Sequence, residues 1–340
     1  WVLSYITGSL TGAYFGDAGA FFSAVSAGPT AVLTHAVFMA ITIAIVAFGI
    51  QSGIEKATKV MIPAIIVLLV GLAVWGFTLD GAAAGYEYYL SPDFGYLAAN
   101  FASIVPSAVG QAFFTLSLGF SVMVAYASYL GRDDSLPADG AAIVVVNTLV
   151  ALLAGFVIFP VLFAIGVEPG SGGMGAAFVS LAGAFGQIPG GSVLGGAFFV
   201  ILLLAALSSS ISLLETPTSY VVDNYDYGRK QVAIGLGAVV WAVGIPTALS
   251  TNTLAWYNAV VFNLLLPIVV LLFAVFVGWV AFDLSTDELG RGTSLGDGFA
   301  TTWLWWVRIV IPIAIGLTLV LGIQSLLIRA GFIESAIILG

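Results

Sequence analysis

Cysteine is absent from this chain, which excludes disulfides, thiol catalysis and thiolate-held metals. Histidine occurs once, at position 35. No second His or Cys exists to share a metal with it, so it reads as a packing residue rather than a ligand. Charge is scarce as well, with Asp, Glu, Lys and Arg together making up 7% of the residues. No H-E-x-x-H run, paired intramembrane aspartates or serine with a nearby histidine base can be assembled, so enzymatic chemistry finds no support. Lysine appears only at positions 56, 59 and 230, and 17 acidic residues face 8 basic ones for a net charge of −9. Acidic, lysine-poor loops fit a high-salt organism or an accident among so few charges.

Apolar residues fill the space that charge leaves. They make up 61% of the chain and its mean hydropathy is +1.14, which excludes a soluble domain and leaves an all-α polytopic membrane protein. Long unbroken runs such as Met61–Phe77 and Leu264–Phe282 argue against the short alternating segments of an outer-membrane barrel. Apolar segments lie near 31–50, 57–79, 103–131, 140–166, 194–222, 231–250, 256–282 and 303–327, each about the ~20 residues that a spanning helix needs. Trp1–Tyr14 is too short to span and starts without Met or a charged leader. It reads as the end of a helix begun upstream, the first and partial member of about nine membrane segments in a single transmembrane domain over 1–340.

Lys56, Lys59, Arg132, Arg229, Lys230 and Arg291 fall in alternate connections, with Arg308 just inside the following helix. Loops near 51–56, 132–139, 223–230 and 283–302 are therefore expected on the cytoplasmic side. The connections 80–102, 167–193 and 251–255 hold no Lys or Arg but carry Asp80, Glu87, Asp93 and Glu168, and are expected outside. Within the second of these, Met174–Phe185 has the small-residue, apolar texture of a helix lying against the bundle. The loop 167–193 is read as an outer lid, and the Gly-, Asp- and Thr-rich 283–302 as an ordinary solvated connection.

Polar atoms enter the apolar segments in three clusters. Gln111, Thr115, Ser117 and Gly119 place an amide, two hydroxyls and a flexible backbone position within three turns, beside Phe114 and Phe120. In hydrocarbon every backbone polar group must be satisfied internally, so a weak helix centre is tolerated only where it lines a cavity or faces a ligand. Asn147 stands on the next segment, and Ser208, Ser209 and Ser210 follow Ala205 on the one after. Any one of these can simply join helices by hydrogen bonding. Three clusters on successive segments, all neutral oxygen donors, suit sodium and a small zwitterion better than Ca²⁺ or a proton relay. Glu215, one turn past the serines, is read as holding its helix by hydrogen bonding in preference to carrying protons.

Gln111-Ala-Phe-Phe-Thr-Leu-Ser-Leu-Gly-Phe120, followed by Tyr126-Ala-Ser-Tyr129, resembles the sixth helix of the neurotransmitter:sodium symporters. Gly53-Ile-Glu-Lys-Ala-Thr-Lys59 with Met61-Ile-Pro63, Ser91-Pro-Asp-Phe94 and Ser208-Ser-Ser-Ile-Ser-Leu-Leu-Glu215 add to the likeness along the whole chain. The resemblance implies a prokaryotic member, haloarchaeal by its acidic, lysine-poor charge, with the LeuT-like inverted-repeat fold, lacking that family's first two helices and their Asn-x-Trp-Arg-Phe-Pro signature. It also implies a discontinuous helix near 103–131.

Carried over by position, the resemblance assigns Phe114, Ser117, Phe120, Ser209 and Leu213 to the substrate pocket. One sodium takes oxygen from Thr115 and Asn147, the other from the Ala205 carbonyl and the hydroxyls of Ser208 and Ser209. With no acid in 140–166, a chloride held by Gln111, Thr115 and Asn147 is the expected charge balance. Tyr129 and Asp223 match the inner gate, while Asn258 stands where relatives carry an outer-gate aspartate. The expected function is sodium-coupled symport of an amino acid or related zwitterion across the plasma membrane by alternating access. Its competitor is a transport-inactive remnant acting as a binding or scaffold membrane protein. Partners are the substrate, the ions and the bilayer, and not nucleic acid.

Overall fold

Backbone amides and carbonyls inside these apolar runs have no water to turn to, so each run must satisfy its own. In a computed structural model describing residues 1–131, 133–166, 175–291 and 297–333, they do so as helices, with no strand among the described residues. Among the described residues, seven helical stretches are long and apolar enough to cross a membrane: Pro29–Ala47, Ser52–Gly76, Leu136–Ala164, Gly191–Asn224, Arg229–Leu249, Thr251–Val280 and Gly298–Arg329.

The helices are α1 (Val2–Thr11), α2 (Ala18–Ser26), α3 (Pro29–Ala47), α4 (Glu55–Gly76), α5 (Ala82–Leu90) and α6 (Phe94–Ala99). Then come α7 (Phe101–Thr115), α8 (Val122–Ala127), α9 (Leu136–Ala164), the short α10 (Ala182–Phe185), α11 (Gly191–Asn224) and α12 (Arg229–Leu249). The last are α13 (Thr251–Val260), α14 (Leu266–Val275), α15 (Phe282–Gly290), α16 (Asp297–Trp305) and α17 (Ile311–Arg329). Wide π turns interrupt this series at Ile50–Ile54, Ala176–Leu181, Val261–Leu265, Phe276–Val280 and Trp306–Val310.

The chain forms two compact units. The first comprises Trp1–Pro92 and Leu149–Leu254. Its aromatic core joins α1, α2, the 176–185 segment and α11: the Tyr5 ring lies 4.6 Å from Phe199, and Tyr14 and Phe185 are buried beside them. The polar tips inside are all used. Tyr5 donates to the Phe178 carbonyl at 2.6 Å, while Ser9 Oγ and Tyr14 share a hydrogen bond at 2.8 Å. A second core, with Val46, Met61, Leu207, Ile211 and Ala233, ties α3, α4, α11 and α12. Lipid is as apolar as leucine, so close packing and interhelical hydrogen bonds must hold such helices together. Thr42 and Ser210 share one such bond at 2.9 Å.

The second unit comprises Asp93–Thr148 and Ala255–Gly340. Here α14 packs on α17 through Val270, Ala274 and Ile315, with Phe113 and Leu118 against them.

Two connections differ from expectation. Residues 251–255 are helical, because α12 and α13 are separated by Ser250 alone, whose Oγ accepts from the Thr253 amide at 3.3 Å as a helix cap. Within 283–302, α15 and α16 replace most of the expected loop; Asp283 in the first turn of α15 complements that helix's positive end. Arg132, Glu168, Met174 and residues 292–296 lie outside the described residues. The expected helix in the 167–193 connection is seen from Gly175, as the π turn and α10, with Leu181 and Phe185 fully packed into the aromatic core. In Ser91-Pro-Asp-Phe94, Asp93 caps α6 by accepting from the Tyr96 amide at 2.7 Å.

Candidate functional site

The helix expected to be discontinuous is broken where its glycine and hydroxyls lie. The α7 helix ends at Thr115, α8 starts at Val122, and between them Ser117, Gly119 and Ser121 adopt left-handed backbone with φ of 54°, 86° and 59°. The end of α7 is a Schellman turn, in which the Leu118 amide donates to the Phe113 carbonyl at 2.9 Å and the Ser117 amide to Phe114 at 3.0 Å. Glycine normally occupies the left-handed position of that turn, and here it is Ser117. A non-glycine residue held this way costs on the order of 1–3 kcal/mol, and this loop holds two. At Gly119 the demand is steric too, since a Cβ there would lie 2.8 Å from Val270 Cγ2 and 3.0 Å from Leu266 Cδ2 on α14.

Thr115, the last residue of α7, donates from Oγ1 to Asn147 Oδ1 on α9 at 2.9 Å. Two of the expected sodium ligands are thus brought together by the side chains themselves. Gln111, one turn earlier, is exposed towards a cavity of about 430 Å³ shared with Phe114, Phe262, Asn263 and Thr318. Phe114 meets Phe262 edge to face, with ring centres 4.9 Å apart. Phe120 is half-buried on the break itself. Tyr129 follows α8 and is 40% exposed.

The other expected ligands belong to the first unit. Ala205 O accepts from Ser208 Oγ at 2.8 Å and from Ser209 Oγ at 3.4 Å, so the carbonyl and both hydroxyls converge on one turn of α11. Leu213, four residues after Ser209 and on the same face of the helix, is 45% exposed. Asp223 is exposed in the last turn of α11, and Asn258 is exposed on α13.

Glu215 holds structure, as its sequence position suggested. Its carboxylate, 1% exposed, pairs with the Arg229 guanidinium, whose Nε also donates to the Val46 carbonyl at 3.1 Å. Three helices are tied at one point. His35 on α3 packs against Gly244 of α12, and its Nδ1 is buried without a hydrogen-bond partner among the described residues.

The model of the sodium:neurotransmitter symporter family matches residues 25–329. The chain belongs to this family. The uncharacterized sodium-dependent transporter YhdH of Bacillus subtilis is 36% identical over 93% of this chain and 73% of its own length. An uncharacterized sodium-dependent transporter of Haemophilus influenzae is 32% identical, over 82% of this chain and 62% of the relative. Among solved structures, MhsT in complex with L-phenylalanine superposes with a TM-score of 0.79 at 35% identity, covering 94% of this chain and 75% of that one. The symporter fold is thereby shown for this chain, and its relatives are transporters rather than enzymes.

Two features of this family member escaped the sequence. Ser121 shares the strained backbone of the break, although nothing in Phe-Ser-Val distinguishes it. Arg229 completes Glu215; the usable signal was that a carboxylate in a membrane helix requires a partner of opposite charge, and Arg229 is the next cation along the chain.

Proposed function

We propose that the protein is a sodium-coupled symporter of an amino acid or similar small zwitterion, working by alternating access in the plasma membrane. The observation that carries this reading is the break at 116–121, with its two left-handed serines. The C-terminal end of α7 and the N-terminal end of α8 both meet the break, and helix ends carry partial charges of opposite sign. A zwitterion offers an ammonium and a carboxylate to such a pair, as in transporters with discontinuous helices. The phenylalanine bound in MhsT and the sodium in the relatives' names support the choice of substrate and ion.

In this reading Phe114, Ser117, Phe120, Ser209 and Leu213 contact substrate. Sodium is a co-substrate, taken at one place by Thr115 and Asn147 and at another by the Ala205 carbonyl with Ser208 and Ser209. Gln111, Thr115 and Asn147 hold a chloride that offsets the sodium charge. Tyr129 and Asp223 serve the inner gate, and the 167–193 segment the outer lid. Coupling follows when substrate and sodium each stabilise the occluded state only in the presence of the other.

The test is uptake by the complete protein in liposomes. An inward sodium gradient should drive accumulation of at least one labelled amino acid; equal uptake in potassium would refute the coupling, and no uptake of any amino acid would favour the transport-inactive reading.

A further inference from the structure

The spans Thr251–Val280 and Gly298–Arg329 are clasped twice by arginine and tryptophan. Near one end the Arg329 guanidinium lies 5.2 Å from the Trp256 ring. Near the other the Arg308 guanidinium lies 4.7 Å from Trp279, 5.0 Å from Trp305 and 5.3 Å from Phe282. Trp279 follows Trp256 by 23 residues, and Arg329 follows Arg308 by 21. At ~1.5 Å per residue the clasps stand roughly 32–35 Å apart, close to the ~30 Å thickness of the hydrocarbon layer. Both are therefore at headgroup depth, where tryptophan and arginine side chains settle.

The Arg308 clasp is the more constructed of the two. Its backbone approaches so closely that a Cβ on Gly278 would lie 2.8 Å from Arg308 Cα, and Trp279 Nε1 donates to the Arg308 carbonyl at 3.1 Å. Three aromatic rings lie within cation–π range of the guanidinium. Its N–H donors, which radiate along the edge of the plane, form no hydrogen bond or ion pair with any protein group among the described residues. Asp283 and Asp287 of α15 are not within ion-pair distance, and Glu288 is taken by Arg291. Trp303 and Trp306, each more than half exposed, stand on the same stretch as Arg308.

We propose that Arg308 is a binding site for the phosphate of an anionic phospholipid. Rings hold the guanidinium in place, and its fork is left for two oxygens of one phosphate, the bidentate geometry that arginine provides and lysine does not. Lipid is the favoured source of that phosphate because the site lies at headgroup depth beside exposed tryptophans, which can take the glycerol and upper acyl region. In a chain of net charge −9, attraction to an anionic membrane has to be local, and an arginine with no carboxylate partner among the described residues can supply it. The inference is independent of which substrate is transported.

Native mass spectrometry of the complete protein, titrated with phosphatidylglycerol or with phosphatidylcholine of the same acyl chains, tests it. Wild type should retain one phosphatidylglycerol at roughly five- to tenfold higher apparent affinity than phosphatidylcholine. Arg308→Gln should remove that preference, Arg308→Lys should keep only part of it, and Arg329→Gln should leave it intact. A melting temperature within a few degrees of wild type identifies folded variants, and the lysine variant carries the test if the glutamine variant does not fold. The proposal is overturned if Arg308→Gln binds phosphatidylglycerol as wild type does, if Arg308→Lys keeps the full preference, or if Arg329→Gln loses as much. Displacement of the lipid by millimolar inorganic phosphate would also overturn it, by making this a site for free anions.

Discussion

Arg229 reaches from the first turn of α12 to the buried carboxylate of Glu215 on α11 and also holds the Val46 carbonyl on α3. Removing one partner strands a charge away from water, which typically costs about 3–5 kcal/mol. Glu215→Ala and Arg229→Ala should each lower the thermal midpoint in detergent strongly. The double variant should be less destabilised than the sum of the two, because the second change removes the stranded charge. Additive losses would mean that the pair is not coupled.

The break should respond with opposite signs at neighbouring positions. Gly119→Ala adds a Cβ against Val270 and Leu266 at a φ of 86°, a cost of roughly 2–4 kcal/mol. Ser117→Gly relieves left-handed strain and should stabilise by up to about 1 kcal/mol after the entropy of glycine is subtracted. Thermal unfolding of the two variants beside wild type measures both. If Ser117→Gly is destabilising, the serine hydroxyl does more for the fold than its backbone costs.

Thr115 and Asn147 are already in hydrogen-bond contact at 2.9 Å, so either truncation should weaken sodium without dismantling the helices. Thr115→Ala and Asn147→Ala should each raise the half-saturating sodium concentration about tenfold or more, the loss of one charge-linked ligand. Asn147→Asp supplies the negative charge that chloride is proposed to bring, and uptake should then persist when chloride is replaced by gluconate. Wild-type uptake undiminished in gluconate would remove chloride from the mechanism.

His35 and Gly244 make a size-complementary pair. A Cβ at 244 would lie 2.4 Å from His35 Cε1, so Gly244→Ala should destabilise by about 1–3 kcal/mol. Adding His35→Ala should restore much of that, which a double-mutant cycle of melting temperatures will show. The same result would support the packing role of this histidine.

Much of the architecture is legible in the sequence, because the bilayer imposes its own grammar: long apolar runs must be helices, and a glycine flanked by hydroxyls inside one marks a break. Gly119 and Ser117 mark the interruption in this way, and the contact between Thr115 and Asn147 joins two residues whose side-chain oxygens stand out in the sequence. What stayed hidden depends on partners distant in sequence. Ser250 turns a corner with a single hydroxyl, so the expected loop at 251–255 shrank to one residue. Asp283 stabilises a helix in a stretch whose composition suggested only solvent. The aromatic cage of Arg308 gathers rings from 279 to 305, and no local pattern records it.

Five π turns punctuate the described residues, and each holds a residue more than an α turn would. Relative to an uninterrupted helix, everything after such a turn is rotated by about 100°. The faces that α14 and α17 present to one another, Val270 and Ala274 against Ile315, are therefore set by surplus residues upstream, at 261–265 and 306–310. Length within those short windows behaves like the teeth of a gear: deleting one residue there turns every later side chain to a different neighbour while leaving the helix itself intact.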